Sequence, residues 1–261
     1  MPDCVTTEIA DAVCVLTLNT PGSRNALSLE VRTRLRELLG VALADRSVRT
    51  VILTGAGGHF SSGGQMAPVN ADSPKPDGER TRVNMAITQD VVRMIVNSDK
   101  PVIGAVEGAA FGAGLSLAAA CDLLVAAGNA RFCASFARVG LASDAGLMWT
   151  LSQRVGAGRA RDLLLTARTV NATESLEIGL IDRLAPVGEA LKTARELATQ
   201  IAALAPLPLA AMKRQIAGGF HSLEDVLAAE AEIQPRLTYS SDYLEGRAAF
   251  REKRPPRFTG T

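Results

Sequence analysis

The longest apolar run in the chain, from Pro101 to Ala127, decides most of what the chain can fold into. A membrane-spanning helix needs about 20 largely uninterrupted apolar residues. This run is broken by Glu107 and Asp122 and by Gly104, Gly108, Gly112 and Gly114. It reads instead as a strand from Pro101 to Val106, a glycine turn, a small-residue helix from Gly114 to Ala120 and a second strand from Leu123. A helix that is apolar all round must be covered by other elements. At 261 residues and 47% hydrophobic the chain can supply the cover, since a chain of this length buries roughly 70–75% of its unfolded surface.

The flanking text alternates between the two periods. Ala12 to Leu18 (AVCVLTL) is a strand, and Ser28 to Asp45 sets Leu35, Leu38, Leu39 and Ala42 at helical spacing behind Ser28 as N-cap. Val48 to Thr54 is a second strand, apolar enough for a sheet covered on both faces. From Ala67 to Gly78 the sequence APVNADSPKPDG predicts a long mobile loop, followed by a helix to about Asn97. A short strand at Arg131 to Ala134 and a helix near Leu147 to Val155 come next, and beyond Gly158 the pattern is helical. Asn171 and Glu174 have capping-box spacing. No internal repeat of fixed period is present. Strands alternating with helices define an α/β class, with a core over residues 1–200 and a helical region over 201–261.

Charge narrows the partners. With 28 Lys and Arg against 27 Asp and Glu there is no excess of cations to hold a phosphate backbone, so no nucleic acid partner is expected. Cys4, Cys14, Cys121 and Cys133 show no zinc spacing, and the opening MPDCVTTEIADAV has neither the basic start nor the apolar run of a signal peptide. Reduced thiols, a cytoplasmic location, no membrane segment and no metal are the expectations. His59 lies in a glycine loop and His221 at a helix start, and both are expected to be structural or exposed. The nucleophile elbow, the zinc-protease helix and the phosphate-binding loop are missing.

Two glycine-rich segments, GAGGHFSSGG (Gly55 to Gly64) and GAAFGAGLSLAAACD (Gly108 to Asp122), each follow a predicted buried strand. They could serve only as tight turns. They could also aim backbone amides into a cleft, the second helped by the unpaired first-turn amides of its helix, and so form an oxyanion hole. A third segment, VGLASDAGLMW (Val139 to Trp149), puts Asp144 alone among apolar residues. It is either the N-cap of the following helix or a carboxylate whose pKa is raised by burial and suited to proton transfer.

Taken together, LNTPGSRNALS (Leu18 to Ser28), VILTGAGGHFSSGG (Val51 to Gly64), DKPVIGAVEGAAFGAGLSLAAACD (Asp99 to Asp122), GLIDRLAP (Gly179 to Pro186) and the closing SDYLEGRAAFREKRPPRFTG (Ser241 to Gly260) resemble the crotonase, or enoyl-CoA hydratase/isomerase, family over essentially the whole chain. The resemblance implies a spiral of ββα repeats with a C-terminal helical region that supports homotrimers or hexamers. It implies an acyl-CoA substrate and no cofactor beyond the coenzyme A carried by that substrate. By the same resemblance the thioester oxygen is held by the amides of Ser62 and Ala113, Arg24 and Ala26 lie along CoA, and Phe250 and Lys253 reach CoA, often from a neighbouring subunit. The two glutamates of a typical hydratase are replaced by Ser116 and Phe136, and Gln65 stands where many members have Asp; these three line the expected acyl pocket. Asp144 falls where family isomerases and chlorobenzoyl-CoA dehalogenases carry a working aspartate, and its surroundings resemble the epoxyphenylacetyl-CoA isomerase branch. The expected chemistry is double-bond isomerisation with Asp144 as proton shuttle. Hydration, nucleophilic attack by Asp144, and a binding-only role are the alternatives.

Overall fold

A computed structural model describes residues 3–66, 78–220 and 222–261 of the chain. The loop expected between Ala67 and Gly78 lies, save for Gly78, outside the described residues, as does His221.

Nine strands form two sheets among these residues. The larger takes β1 (Val5–Ala10), β2 (Val13–Leu18), β3 (Thr50–Gly55), β4 (Val102–Val106), β6 (Leu123–Ala127) and β9 (Arg183–Ala185), in that order. The smaller pairs β5 (Ala109–Phe111), β7 (Arg131–Cys133) and β8 (Thr169–Asn171). From β2 to β9 the large sheet is parallel. Successive turns of chain therefore lay one strand in each sheet and return through a helix, as a spiral of ββα repeats does. The turn β4, β5, α3 (Ala113–Ala120) is followed by β6, β7, α4 (Leu147–Thr166).

The alternation in β2 sorts its side chains between two cores. Cys14, Leu16 and Leu18 face a large cluster with Val31, Leu35 and Leu39 of α1 (Leu29–Ala44), Ile95 of α2 (Gly78–Asn97) and Leu115 of α3. Val13 and Val15 face the other way, onto Ala194, Leu197 and Ala198 of α6 (Ala190–Ala202). Ser28 caps α1 by accepting from the Val31 amide, as the sequence predicts, and every residue of α3 is buried. Among the described residues no helix is long and apolar enough to cross a membrane.

Several short elements are not visible in the sequence pattern. β5 lies inside the stretch read as a glycine turn, and it is ordered by parallel pairing with β7 rather than by its own propensity. β1 is an edge strand with only Val5 buried, so it lacks the apolar alternation that marks a strand. Asn171 does cap α5 (Ala172–Glu177), but Glu174 bonds Arg168 at 2.6 Å instead of returning to the cap.

The two acids that interrupt the apolar run tie layers together. The Glu107 carboxylate accepts from the amides of Gly188 and Ala190 at the start of α6. Asp122 accepts from the Val102 amide and from Lys213 of α7 (Pro206–Gly218), whose ammonium also donates to the carbonyls of Ile95 and Lys100. Beyond α7, α8 (Leu223–Thr238) and α9 (Ser241–Glu252) complete the chain, and α8 has no buried residue.

Candidate active site

The first glycine loop is an added rung of the smaller sheet. Phe60 and Ser61 amides donate to the carbonyls of Glu107 and Ala109, and the Phe111 amide donates to the Ser61 carbonyl. Ser61 thus pairs in parallel with Ala110, which pairs in turn with Phe132. The close approach requires glycine. A Cβ on Gly63, at φ 97°, would lie 2.6 Å from the Phe111 carbonyl oxygen, and one on Gly114 would lie 2.7 Å from that of Ser61. His59 contributes a structural bond, its Nδ1 accepting from the Ala109 amide at 3.2 Å.

Ser62, expected as an oxyanion donor, has its amide engaged within the protein. The Ser62 N–H donates to the Arg24 carbonyl at 2.9 Å and its hydroxyl to the Ser23 carbonyl at 3.1 Å. Ser62 therefore fastens the 23–24 turn to the loop and has no amide to offer a ligand. The Gly63 amide is taken by Ser61 Oγ. Leu27 donates to the Gly63 carbonyl and accepts from the Gln65 amide; in this parallel bridge the Gly64 N–H points away from Leu27. From Phe60 to Gln65 it is the one amide that none of these bonds consumes.

On the second loop, the Gly112 amide donates to the Cys133 carbonyl, and the first intrahelical bond of α3 runs from the Ser116 amide to the Gly112 carbonyl. Ala113, at the first helical position and 3% exposed, has an amide without an intrahelical acceptor. The position a Gly63 Cβ would take is 3.4 Å from the Ala113 nitrogen, so the Gly64 and Ala113 amides belong to loops in direct contact. The α3 dipole adds positive potential there. Such an arrangement stabilises a developing oxyanion.

Asn25 holds the first loop from behind. Fully buried at φ 55°, it accepts from the Thr20 amide and donates to the carbonyls of Ala56 and His59, while its own carbonyl accepts from Ser61 Oγ.

Asp144 does not cap α4. The N-cap is Gly146, with no side-chain bond, and Asp144 Oδ1 is buried without a hydrogen-bond partner. Burial pushes this carboxyl above the ordinary aspartate range, and the guanidinium of Arg32 partly offsets the rise. Ser116, fully buried on α3, donates its hydroxyl to the Asp144 carbonyl oxygen at 3.1 Å. Phe136, in the 3-10 turn Ser135–Val139, is buried beside Gly112. Gln65 is exposed at the mouth of the loop.

Arg32, like Gly64 and Asn25, is a residue that sequence reading missed. It stands one position after Val31 of the buried α1 stripe, which nothing in the helical pattern distinguishes from a solvated flank. Its Nε donates to the Leu27 carbonyl at 2.9 Å and Nη1 to the Asn84 carbonyl at 3.3 Å. Its Nη2 lies 3.3 Å from where a Gly64 Cβ would be. Burial lowers its pKa, with Asp144 opposing that shift.

The expected CoA residues divide. Arg24 and Ala26 sit beside the first glycine loop through the Ser62 bond. Phe250 and Lys253 are at the end of α9, with Phe250 88% exposed. α9 is secured instead by the tail, through Asp242 to the amides of Thr259 and Gly260 and through Glu245 to Arg254. A cavity of about 370 Å³ beyond the far end of α3 has its charges internally paired, Lys213 with Asp122 and Arg154 with Asp182. No cluster of potential metal ligands occurs among the described residues.

The parallel spiral brings together two amide-bearing glycine loops and one desolvated carboxylate. Comparison with known proteins gives the family: residues 8–261 match the model of the enoyl-CoA hydratase/isomerase family, and the chain belongs to it. A probable enoyl-CoA hydratase of Rhodobacter capsulatus is 36% identical over 97% of this chain and 96% of its own length. The 1,2-epoxyphenylacetyl-CoA isomerase of Escherichia coli is 33% identical over the full length of both. A crystal structure of an enoyl-CoA hydratase from Polaromonas sp. JS666 superposes with a TM-score of 0.91 at 35% identity, covering 97% of this chain and 99% of that one.

Proposed function

We propose that the chain isomerises the double bond of an acyl-CoA thioester through an enolate held at the two glycine loops. The amides of Gly64 and Ala113 take the thioester oxygen, and Asp144 removes a proton from the α-carbon and returns it to the γ-carbon of the resulting dienolate. One carboxylate serves both transfers, so the balance of protons needs no second group. The observation that carries this reading is Asp144 itself, a desolvated carboxyl with a buried oxygen that no protein group bonds. Its raised pKa brings it nearer the value at which proton transfer is efficient.

Hydration requires carboxylates around one water, and the positions of the two hydratase glutamates hold a serine whose hydroxyl is engaged and a buried phenylalanine. The experiment is conversion of a β,γ-unsaturated to an α,β-unsaturated acyl-CoA by the wild type and D144N. Loss of conversion with retained CoA-thioester binding supports the reading. Conversion by D144N at the wild-type rate overturns it, and binding without turnover in either protein supports a binding subunit instead.

The exposed apolar residues of the C-terminal region support self-assembly. Leu223 and Leu227 of α8, Tyr243 and Leu244 of α9 and Phe250 are all well exposed, and a helix with no buried residue gains nothing from a core of its own. In the reading proposed here these faces close a homotrimer, singly or paired as a hexamer, and Phe250 and Lys253 meet the CoA of a second copy.

A further inference from the structure

Arg32 is a cation held inside the site with no carboxylate of the described residues at salt-bridge distance, Asp144 acting on it only from further off. Among the described residues it forms no ion pair within 4.0 Å, although burial makes its charge costly. Its two protein bonds go to backbone carbonyls, those of Leu27 and Asn84. These fix the plane of the guanidinium and, among the described residues, leave Nη2 uncommitted, close against Gly64. Beside it an acceptor lacks a donor: Oδ1 of Asn84, the residue whose backbone already receives Nη1. A pocket meant only for an apolar acyl chain has no use for such groups, because unpaired polar atoms beside hydrocarbon are penalised.

We infer that Arg32 selects acyl-CoA thioesters bearing an oxygen acceptor close to the thioester, such as a hydroxyl, carbonyl or carboxylate oxygen, by placing the Nη2 N–H groups on it. The inference rests on the reading of Gly64 and Ala113 as the thioester-oxygen donors, since contact with Gly64 is what sets Arg32 near the first carbons of the acyl chain. Arg32 then discriminates by what it leaves unpaired. A substrate without the oxygen seats hydrocarbon against a desolvated cation, and a substrate with it gains a charge-assisted hydrogen bond.

The test is calorimetric titration of the full-length protein with butyryl-CoA, 3-hydroxybutyryl-CoA and succinyl-CoA, for wild type, R32M and R32K. Wild type is expected to bind at least one oxygenated thioester about 10–100-fold more tightly than butyryl-CoA, with the ratio falling towards one in R32M. R32K, which keeps the charge without the fork, should keep part of the preference, and it serves as the probe if R32M does not fold. Equal affinity of wild type for all three ligands overturns the inference, as does a preference that survives in R32M. Absence of binding by every thioester overturns the reading of the site and this inference with it, whereas binding without preference overturns this inference alone.

Discussion

The hydroxyl of Ser116 donates to the main-chain carbonyl oxygen of Asp144 at 3.1 Å, joining the buried helix α3 to the segment that carries the carboxylate. A position that holds an acid in typical hydratases thus holds a group that steadies a different acid. Replacing Ser116 by Ala should leave the fold intact at a cost of about 1 kcal/mol and lower turnover by roughly 10–100-fold through loss of positioning. Thermal melts with steady-state kinetics check this. Ser116→Glu, which looks like restoration of a hydratase, should instead destabilise by about 3 kcal/mol, because the position is fully buried and the larger, charged side chain must be desolvated there.

In the proposed reading Asp144 links pH to both stability and activity. Its folded pKa is raised by burial, with Arg32 opposing the rise, so the folded state holds its proton more tightly than the unfolded chain. Its contribution to stability is fully present below the ordinary aspartate pKa and is lost as pH rises through the raised value. D144N should remove that slope and melt no lower than wild type at pH 7, while losing about 10²–10⁴-fold in turnover. Melting temperatures of the two proteins from pH 4 to 7 decide it. A D144N variant less stable at pH 7 would mean that the carboxylate is structural.

The two central glycines of the first loop should behave differently. Gly63 has a positive φ and a would-be Cβ against the backbone carbonyl of Phe111. G63A should cost roughly 2 kcal/mol or more and abolish activity, because it forces the two loops apart. At Gly64 the nearest atom is the end of the Arg32 side chain at 3.3 Å, which need yield only a few tenths of an ångström. G64A should fold normally, and any loss should fall on turnover rather than on melting temperature.

Removing Asn25 tests whether the loop is held from behind as described. N25A leaves the Thr20 amide and the Ala56 and His59 carbonyls without partners, and about 3 kcal/mol of stability should go with them. Urea unfolding measures it, and a change below about 1 kcal/mol would contradict the bonding described.

How much of this was legible in the sequence depends on where each residue gets its instructions. α1 with its Ser28 cap, the buried α3 and the inner strands β2, β3, β4 and β6 of the large sheet announce themselves, because apolar periodicity and capping are local. β5 and the Ser61 rung do not, since they exist only by pairing with segments distant in the chain. The same limit explains the donor amide. The resemblance implies Ser62, and only the hydrogen bond from Ser62 to Arg24 shows that this amide is spent, with Gly64 left over between Phe60 and Gln65. Asn25 stood within a recognised motif, but its positive φ and three side-chain bonds carry no sequence signature. Arg32 is hidden for the opposite reason, since a cation flanking an apolar stripe looks like any solvated helix edge.

The most direct test of the central claim is mass spectrometry of a β,γ-unsaturated acyl-CoA incubated with the protein in D₂O, for wild type and D144N. The account predicts formation of the α,β-isomer, with deuterium entering the acyl chain to the extent that the carboxyl exchanges its proton with solvent between transfers, and loss of isomerisation and deuterium uptake alike in D144N. A hydrated thioester as the main wild-type product, or isomerisation undiminished in D144N, would contradict it.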